Sequence, residues 1–318
     1  MTTLLLTHDA CLNHLTPPGH PERPDRLRAI NQVLAETRFD PLIRVEAPEG
    51  SLDDVTLCHS EPYVTELRSV APTSGMVYID GDTSMSPGTW EAVMRGVGGA
   101  VAATDAVMRG EHSNAFVAVR PPGHHAEKST PMGFCFFDNA AIAARHAQRK
   151  YGIARAAVID FDVHHGNGTQ DIFWADKSVM YCSTHQMPLF PGTGARGERG
   201  EHDTIVNAPL APEDGSAQFR SAFENAILPQ LEKFAPELVI ISAGFDAHHR
   251  DPLASINLKA EDFGWVTKKL MDVAERSAGG RVVSVLEGGY DLQGLKESVA
   301  SHVTALMGTA LMGTTPKP

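Results

Sequence analysis

Five short runs of β-branched and other apolar residues punctuate this chain: Ala115–Val119 (AFVAV), Ala156–Ile159 (AAVI), Val179–Cys182 (VMYC), Leu238–Ser242 (LVIIS) and Val282–Leu286 (VVSVL). None alternates with polar residues, which is the pattern of strands covered on both faces. Apolar residues at three- and four-residue spacings predict helices over Arg23–Thr37, Thr89–Met108, Asn139–Lys150, Ser216–Phe234, Ala260–Arg276 and Leu292–Met307. Buried strands that alternate with amphipathic helices pack one way: as a parallel α/β sheet. The Pro- and Gly-rich stretches (Thr16–Pro24, Arg120–His125, Leu189–Gly200) fall between elements, and no repeat or linker divides the chain. A single domain over residues 1–318 is therefore expected, with Gly313–Pro318 as a frayed tail.

Composition narrows the partners. The net charge of −12 argues against direct nucleic-acid binding and against an anionic membrane surface, since both require basic patches. No apolar run approaches the roughly 20 residues of a membrane span, and the opening MTTLLLTHDA turns polar too soon for a secretory signal. Four scattered cysteines (Cys11, Cys58, Cys135, Cys182) suit neither a Cys-x-x-Cys zinc site nor a disulfide framework, so a reducing cytoplasm is the expected location.

Open α/β sheets bind ligands beyond the carboxyl ends of their strands. Four of the runs end in unusual polar residues: AFVAV leads to RPPGHH, AAVI to DFDVHHGNG, LVIIS to AGFDAHH and VVSVL to EGGY. Of fifteen histidines, six form three adjacent pairs, and each pair lies at one of those ends.

On an extended segment, Asp160, Asp162 and His164 (D-x-D-x-H) would project to one face and crowd two carboxylates against an imidazole. Alone, the string reads equally as a hydrogen-bonded polar strand end. With Asp246 closing a second strand, it reads as a metal site with Asp162, His164 and Asp246 as ligands and Asp160 behind them. Oxygen and nitrogen donors without thiolate suit zinc, iron(II) or manganese, and three protein ligands leave a position open for chemistry. His124 and His125 read either as loop histidines or as a proton-transfer pair, with Asp160 tuning one of them. Gly288 and Gly289 would let the EGGY loop approach a ligand closely, and Tyr290 could donate to a developing oxyanion. The aromatics of GFCFF (Gly133–Phe137) and LFPGTG (Leu189–Gly194) suit either the core or the walls of a narrow tunnel. Nothing near Cys135 lowers its pKa, so burial suits it better than a nucleophilic role.

Taken in order, R-P-P-G-H-H, G-F-C-F-F-D-N-A-A, D-F-D-V-H-H-G-N-G-T-Q, P-G-T-G, S-A-G-F-D-A-H-H-R-D-P-L and L-E-G-G-Y-D resemble the zinc-dependent histone deacetylase superfamily. H-P-E-R-P-D-R-L and C-H-S-E-P-Y-V extend the resemblance over nearly the whole chain. It implies the arginase/deacetylase fold, an eight-stranded parallel sheet with helices on both faces. It also implies hydrolysis of an acetyl- or other acyl-lysine amide to carboxylate and free amine. Asp162, His164 and Asp246 match the Zn²⁺ ligands (Fe²⁺ being possible in vivo), His125 the general base and acid, His124 with Asp160 its partner, and Tyr290 the carbonyl-polarising tyrosine. Phe134 and Phe190 match the tunnel walls, Gly133 a lining residue and Leu253 the gatekeeper position at the mouth.

The resemblance further implies a structural K⁺ beside the zinc, held by the segment Asp160, Asp162 and His164 with Ser183 and Thr184, and a second K⁺ near Phe173, Asp176 and Val179. Asn167 and H-P-E-R-P are class II-like. Leucine at 253, where polyamine-selective eukaryotic class II enzymes carry glutamate, and the absence of a long insertion around Met76–Pro87 weaken an acetylpolyamine assignment. Acetylated protein or peptide lysine is thus the expected substrate and acetylated polyamine the alternative. An arginase-like ureohydrolase would need a second aspartate where Asp246–Ala247–His248 has none. A catalytically silent acyl-lysine binder would lack His125 or Tyr290.

Overall fold

The structure is a computed structural model and describes residues 2–308; the expected tail at Gly313–Pro318 lies outside them. In chain order the strands are β1 (Thr3–Thr7), β2 (Ile43–Glu46), β3 (Val77–Tyr78), β4 (Ser84–Met85), β5 (Asn114–Val117), β6 (Ala156–Asp160), β7 (Val179–Ser183), β8 (Ile205–Asn207), β9 (Leu238–Ala243) and β10 (Val282–Leu286). The helices are α1 (Asp25–Leu34), α2 (Leu52–Val55), α3 (Glu61–Ser69), α4 (Thr89–Met108), α5 (Asn139–Tyr151), α6 (Asn167–Phe173), α7 (Ser216–Ala222), α8 (Leu228–Phe234), α9 (Ala260–Ser277) and α10 (Leu292–Leu306).

Eight strands form one all-parallel sheet in the order β2-β1-β5-β10-β9-β6-β7-β8, with β3 and β4 pairing apart from it as a short antiparallel ribbon. Helices cover both faces: α4 packs with α5, while α9, α10 and α1 pack together. Among the described residues no helix is long and apolar enough to cross a membrane.

The five apolar runs all become strands, and every residue of β5, β6, β7, β9 and β10 is buried. The other three sheet strands carry weaker signals. All four residues of β2 are exposed at the sheet edge, and β8 has only three residues. The apolar TLLLT of β1 stands alone at the start of the chain, before any helix gives it a pattern.

Helix ends follow local chemistry. Asp138 caps α5 by accepting from the Ala141 N–H at 2.8 Å, and Gly152 at φ 68° closes it in the left-handed conformation that glycine adopts freely. The helix expected over Ser216–Phe234 is interrupted by a π-turn at Phe223–Ile227. Pro229, just beyond it, has no N–H to continue the ordinary ladder.

One consequence of the strand order matters for function. The chain builds outward to β8 and then returns, inserting β9 and β10 between β6 and β5. The four central neighbours β5, β10, β9 and β6 are the four strands whose ends carry the polar motifs. Motifs up to 166 residues apart, such as His124 and Gly288–Tyr290, therefore meet at one edge.

Candidate active site

β6 ends at Asp160, and the chain bends through Asp162–His164. The three side chains are thus not aligned by strand alternation, as the D-x-D-x-H spacing suggested. Aspartate side chains build the bend instead: Asp160 Oδ1 accepts from the Asp162 N–H (3.0 Å), Asp162 Oδ1 from the His164 N–H (2.9 Å) and Asp246 Oδ1 from the Val163 N–H (2.8 Å).

These contacts bring one ligand atom each of Asp162, His164 and Asp246 within 4.8 Å of one another, all buried. His164 Nδ1 lies 3.1 Å from Asp162 Oδ1 and 3.0 Å from Asp246 Oδ2. Two carboxylates and an imidazole without solvent carry a large desolvation cost that a cation relieves. Burial, reinforced by the Asp162 charge, raises the Asp246 carboxyl to about 7. Burial alone would lower His164, but the two carboxylates outweigh it and hold the imidazole up at about 10.

The cradle is also shaped for an ion. A Cβ on Gly288 would lie 2.3 Å from Asp246 Oδ2 and 2.6 Å from Asp162 Oδ2, and one on Gly244 would lie 2.1 Å from Asp162 Oδ2. Only hydrogen fits at these two places. The oxygen and nitrogen donor set and this close backbone approach fit a divalent metal ion.

The adjacent histidines occupy different environments. His124 Nδ1 lies 2.9 Å from Asp160 Oδ2, which also accepts from the Tyr181 hydroxyl at 3.0 Å. Burial disfavours charge on His124, yet the Asp160 and Asp162 carboxylates overcome it and raise the imidazole well above the usual range. His125 is pushed well below that range, first by burial and then by the charges on His124 and His164. Its Nδ1 lies 2.9 Å from Asn167 Oδ1. The Asn167 Nδ2 donates to Glu127 Oε1 at 2.8 Å, which fixes the amide with its oxygen toward His125. An acceptor oxygen there requires the proton on His125 Nδ1 and leaves Nε2 as the basic nitrogen.

Tyr290 is buried, and its hydroxyl makes no hydrogen bond among the described residues. Burial pushes the phenol well above its ordinary value, so it remains a proton donor. Its ring meets Phe134 edge-on at 5.9 Å, and Phe190 meets His125 at 5.1 Å and His164 at 6.4 Å. The two phenylalanines thus flank the histidine–tyrosine group from opposite loops, with Phe190 still 41% exposed. Gly133 lies against His125, since a Cβ there would sit 2.5 Å from the imidazole ring. Leu253 is half-buried on a turn tied to the Tyr290 loop: Asp251 accepts from the Leu253 N–H at 3.1 Å and the Tyr290 N–H at 2.6 Å. Gly288 and Gly289 divide the work expected of both: Gly288 gives the close approach, and Gly289 alone has a positive φ, 120°.

The histone deacetylase domain matches residues 20–306 of the chain. The chain belongs to the histone deacetylase family. It is 39% identical over 301 residues to a probable deacetylase of Archaeoglobus fulgidus, covering 92% of this chain and 83% of that one. It is 38% identical over 277 residues to the histone deacetylase-like amidohydrolase of Pseudomonas aeruginosa, covering 86% and 73%. The crystal structure of the HDA15 HD domain superposes with a TM-score of 0.91 at 34% identity, covering 100% of this chain and 92% of that one.

Several side chains that shape this candidate site have roles that no local spacing reveals. Glu22 is fully buried and bridges to Arg120 through two bonds of 2.7 and 2.6 Å, with Arg26 and His14 each at 3.3 Å. Arg26 in turn donates to the carbonyls of Gly289 (2.6 Å) and Glu287, and its guanidinium lies 4.8 Å from the Tyr290 ring centre. The H-P-E-R-P-D-R-L segment therefore supports the tyrosine loop from beneath. Glu287, Asp251, Tyr181 and Gly244 likewise have roles visible only once the strands are neighbours.

The other paired histidines sit outside the trio. His165 bonds Thr193 (2.8 Å) and Gln170 (3.0 Å), while His248 takes the Arg250 N–H at 3.3 Å and lies 3.9 Å from Glu297. Cys135 is buried, and burial pushes its thiol well up.

Of the places named for K⁺, the first contains a buried hydroxyl without a partner, Thr184 Oγ1; Ser183 Oγ pairs with His185 at 2.8 Å. The second is different. Arg145 pairs with Asp176 and stacks on Phe173 at 4.9 Å, Asp176 also holds Ser178, and its carbonyl accepts from Thr204 Oγ1 at 2.9 Å. A cationic side chain already serves Asp176, whose carboxylate also accepts from the Ser178 N–H and hydroxyl, while Phe173 and Val179 offer only main-chain carbonyls.

Proposed function

We propose that this chain is a metal-dependent amidohydrolase that removes acetyl, or other acyl, groups from lysine side chains and acts as one catalytic domain in a reducing cytoplasm. Three buried ligand atoms within 4.8 Å, beside a neutral His125 and an unpartnered Tyr290 hydroxyl, carry the reading. Four free, buried cysteines suit the compartment.

Asp162, His164 and Asp246 would hold the ion, Zn²⁺ or Fe²⁺, and K⁺ would sit beside Thr184. When bound, the divalent ion supplies Lewis acidity toward an acyl oxygen and toward water. Water adds to the amide carbon while His125 Nε2 takes its proton, and the C–N bond then breaks as His125 returns that proton to the amine. Carboxylate and free amine are the products. Tyr290 donates to the carbonyl oxygen as negative charge develops there, which a ground-state carbonyl needs less. His124, held charged by Asp160, keeps positive potential beside His125 and favours its uncharged, basic form. Phe134 and Phe190 would exclude water from an extended aliphatic chain and align its terminal amide with His125 and Tyr290.

The charge of −12 favours a cationic substrate, which a lysine-rich peptide and an acetylated polyamine both are. One comparison tests the assignment: kcat/KM for acetyl-lysine peptides, longer acyl-lysine peptides and acetylated polyamines on a single metal-loaded preparation. Acetyl-lysine peptides are expected to lead. A preference for polyamines would replace the substrate, and no amide turnover at all would remove the reading.

A further inference from the structure

We infer that Glu287 is a positioning residue that sets the His124–His125 segment against the cradle and the tyrosine loop. The inference rests on the proposed hydrolase reading.

Glu287 is fully buried at the end of β10. Its Oε2 accepts from the Gly123 N–H at 2.7 Å and the His124 N–H at 3.2 Å, and Ser242 Oγ lies 3.2 Å from Oε1. These two N–H groups lie inside the protein, where an unmet donor is costly. On the other side, the His124 carbonyl accepts from the Gly168 and Thr169 N–H groups at 3.0 and 3.2 Å. The His124 peptide is therefore clamped from both ends. Sliding is blocked as well, because Gly123 is pressed so closely to Phe137 that a Cβ would meet its carbonyl at 2.6 Å.

The Glu287 backbone enters the other half of the site. Its N–H donates to the Ala243 carbonyl at 2.9 Å, and its own carbonyl accepts from Arg26. The next residue, Gly288, donates to Asp162 Oδ2 at 2.8 Å, and Tyr290 follows two residues later. One residue thus joins the proton-transfer segment by its side chain and the cradle by its main chain. Asp160 and Asn167 orient the two imidazole rings; Glu287 locates the backbone from which both project.

Burial raises the Glu287 carboxyl to about 8. When protonated it still accepts from Gly123 and His124 through one oxygen, and it donates to Ser242 with the other. Glutamine reproduces that arrangement, whereas methionine fills the volume without an acceptor.

The test compares Glu287→Ala, Glu287→Met and Glu287→Gln in the full, metal-loaded chain. Five quantities are read: kcat and KM on an acetyl-lysine peptide, turnover of 4-nitrophenyl acetate, metal per chain and Tm. A displaced base should lower kcat on the amide by about 10- to 100-fold in the Ala and Met variants while KM stays within about threefold. The aryl ester, whose leaving group needs no proton, should lose less than about fivefold, and Gln should recover kcat to within about fivefold of wild type. Should the Ala variant fail to fold, the Met variant decides. Unchanged kcat in Ala or Met, equal losses on amide and ester, or loss of metal would overturn the inference. A wild-type chain that turns over the ester but no amide would instead overturn the hydrolase reading on which it rests.

Discussion

Replacing Gly288 by alanine adds a single carbon against two carboxylates that leave it no room. The Gly288 backbone is outside the positive-φ region, so alanine suits it and any effect is steric. The new Cβ would lie 2.3 Å from Asp246 Oδ2 and 2.6 Å from Asp162 Oδ2, against ordinary contact from 3.4 Å outward. The carboxylates must therefore retreat by about 1.1 and 0.8 Å, and both are proposed ligands. A displacement of this size at supporting positions costs about 10- to 100-fold in metal affinity, and misplacing reacting groups by about 1 Å costs about 10²-fold in rate. Gly289→Ala is the companion. There φ is +120° and the Cβ would meet Leu295 at 2.9 Å and Phe245 at 3.1 Å, so backbone strain should lower stability by about 1–3 kcal/mol. Competition with a chromophoric chelator gives metal affinity, and thermal melting gives stability. Gly288→Ala should lose affinity with little change in Tm, and Gly289→Ala should lose Tm first. Wild-type metal affinity in Gly288→Ala would refute the cradle.

Three further outcomes follow from the geometry. Tyr290→Phe should lower kcat by about 10²–10³ on amide substrates, the usual cost of one lost oxyanion donor, as steady-state kinetics would show. Glu22→Ala leaves Arg120, and partly Arg26, without their buried counter-charge, and urea denaturation should record a loss of about 3–5 kcal/mol. His302, buried between Thr267 (2.6 Å) and Ser284 (2.9 Å), is lowered to about 3 by burial from an unperturbed 6.5. Its folded value is depressed, so its stabilising contribution is present above pH 6.5 and is lost as pH falls. Between pH 7 and pH 5 the wild type should lose about 2 kcal/mol more than His302→Gln, measured by denaturation at both pH values; equal losses would contradict the assignment.

The fold was legible where burial leaves a pattern. Residues buried on both faces of a central strand must be apolar, so β5, β6, β7, β9 and β10 could be read directly. An edge strand such as β2 is under no such demand. The candidate site was legible for a related reason, since each strand end carries several of its groups in one short stretch. Metal-type side chains at 162, 164 and 246, the histidine pair and Tyr290 needed only the rule that strand ends converge. Supporting contacts were not legible. Glu22 reaches Arg120 across 98 positions and Arg26 reaches the Gly289 carbonyl across 263, and no local spacing encodes either bond. The bend at Asp160 was hidden as well, because side chains accepting main-chain N–H groups override the strand geometry that the spacing suggests.

In the proposed mechanism Asp162, His164 and Asp246 hold an ion on which amide hydrolysis depends. The most direct measurement is release of free amine from an acetyl-lysine peptide before exhaustive chelation, after it, and after addition of Zn²⁺ or Fe²⁺. Turnover should be lost on chelation and return with about one ion per chain. Turnover that survives complete removal of metal would contradict it.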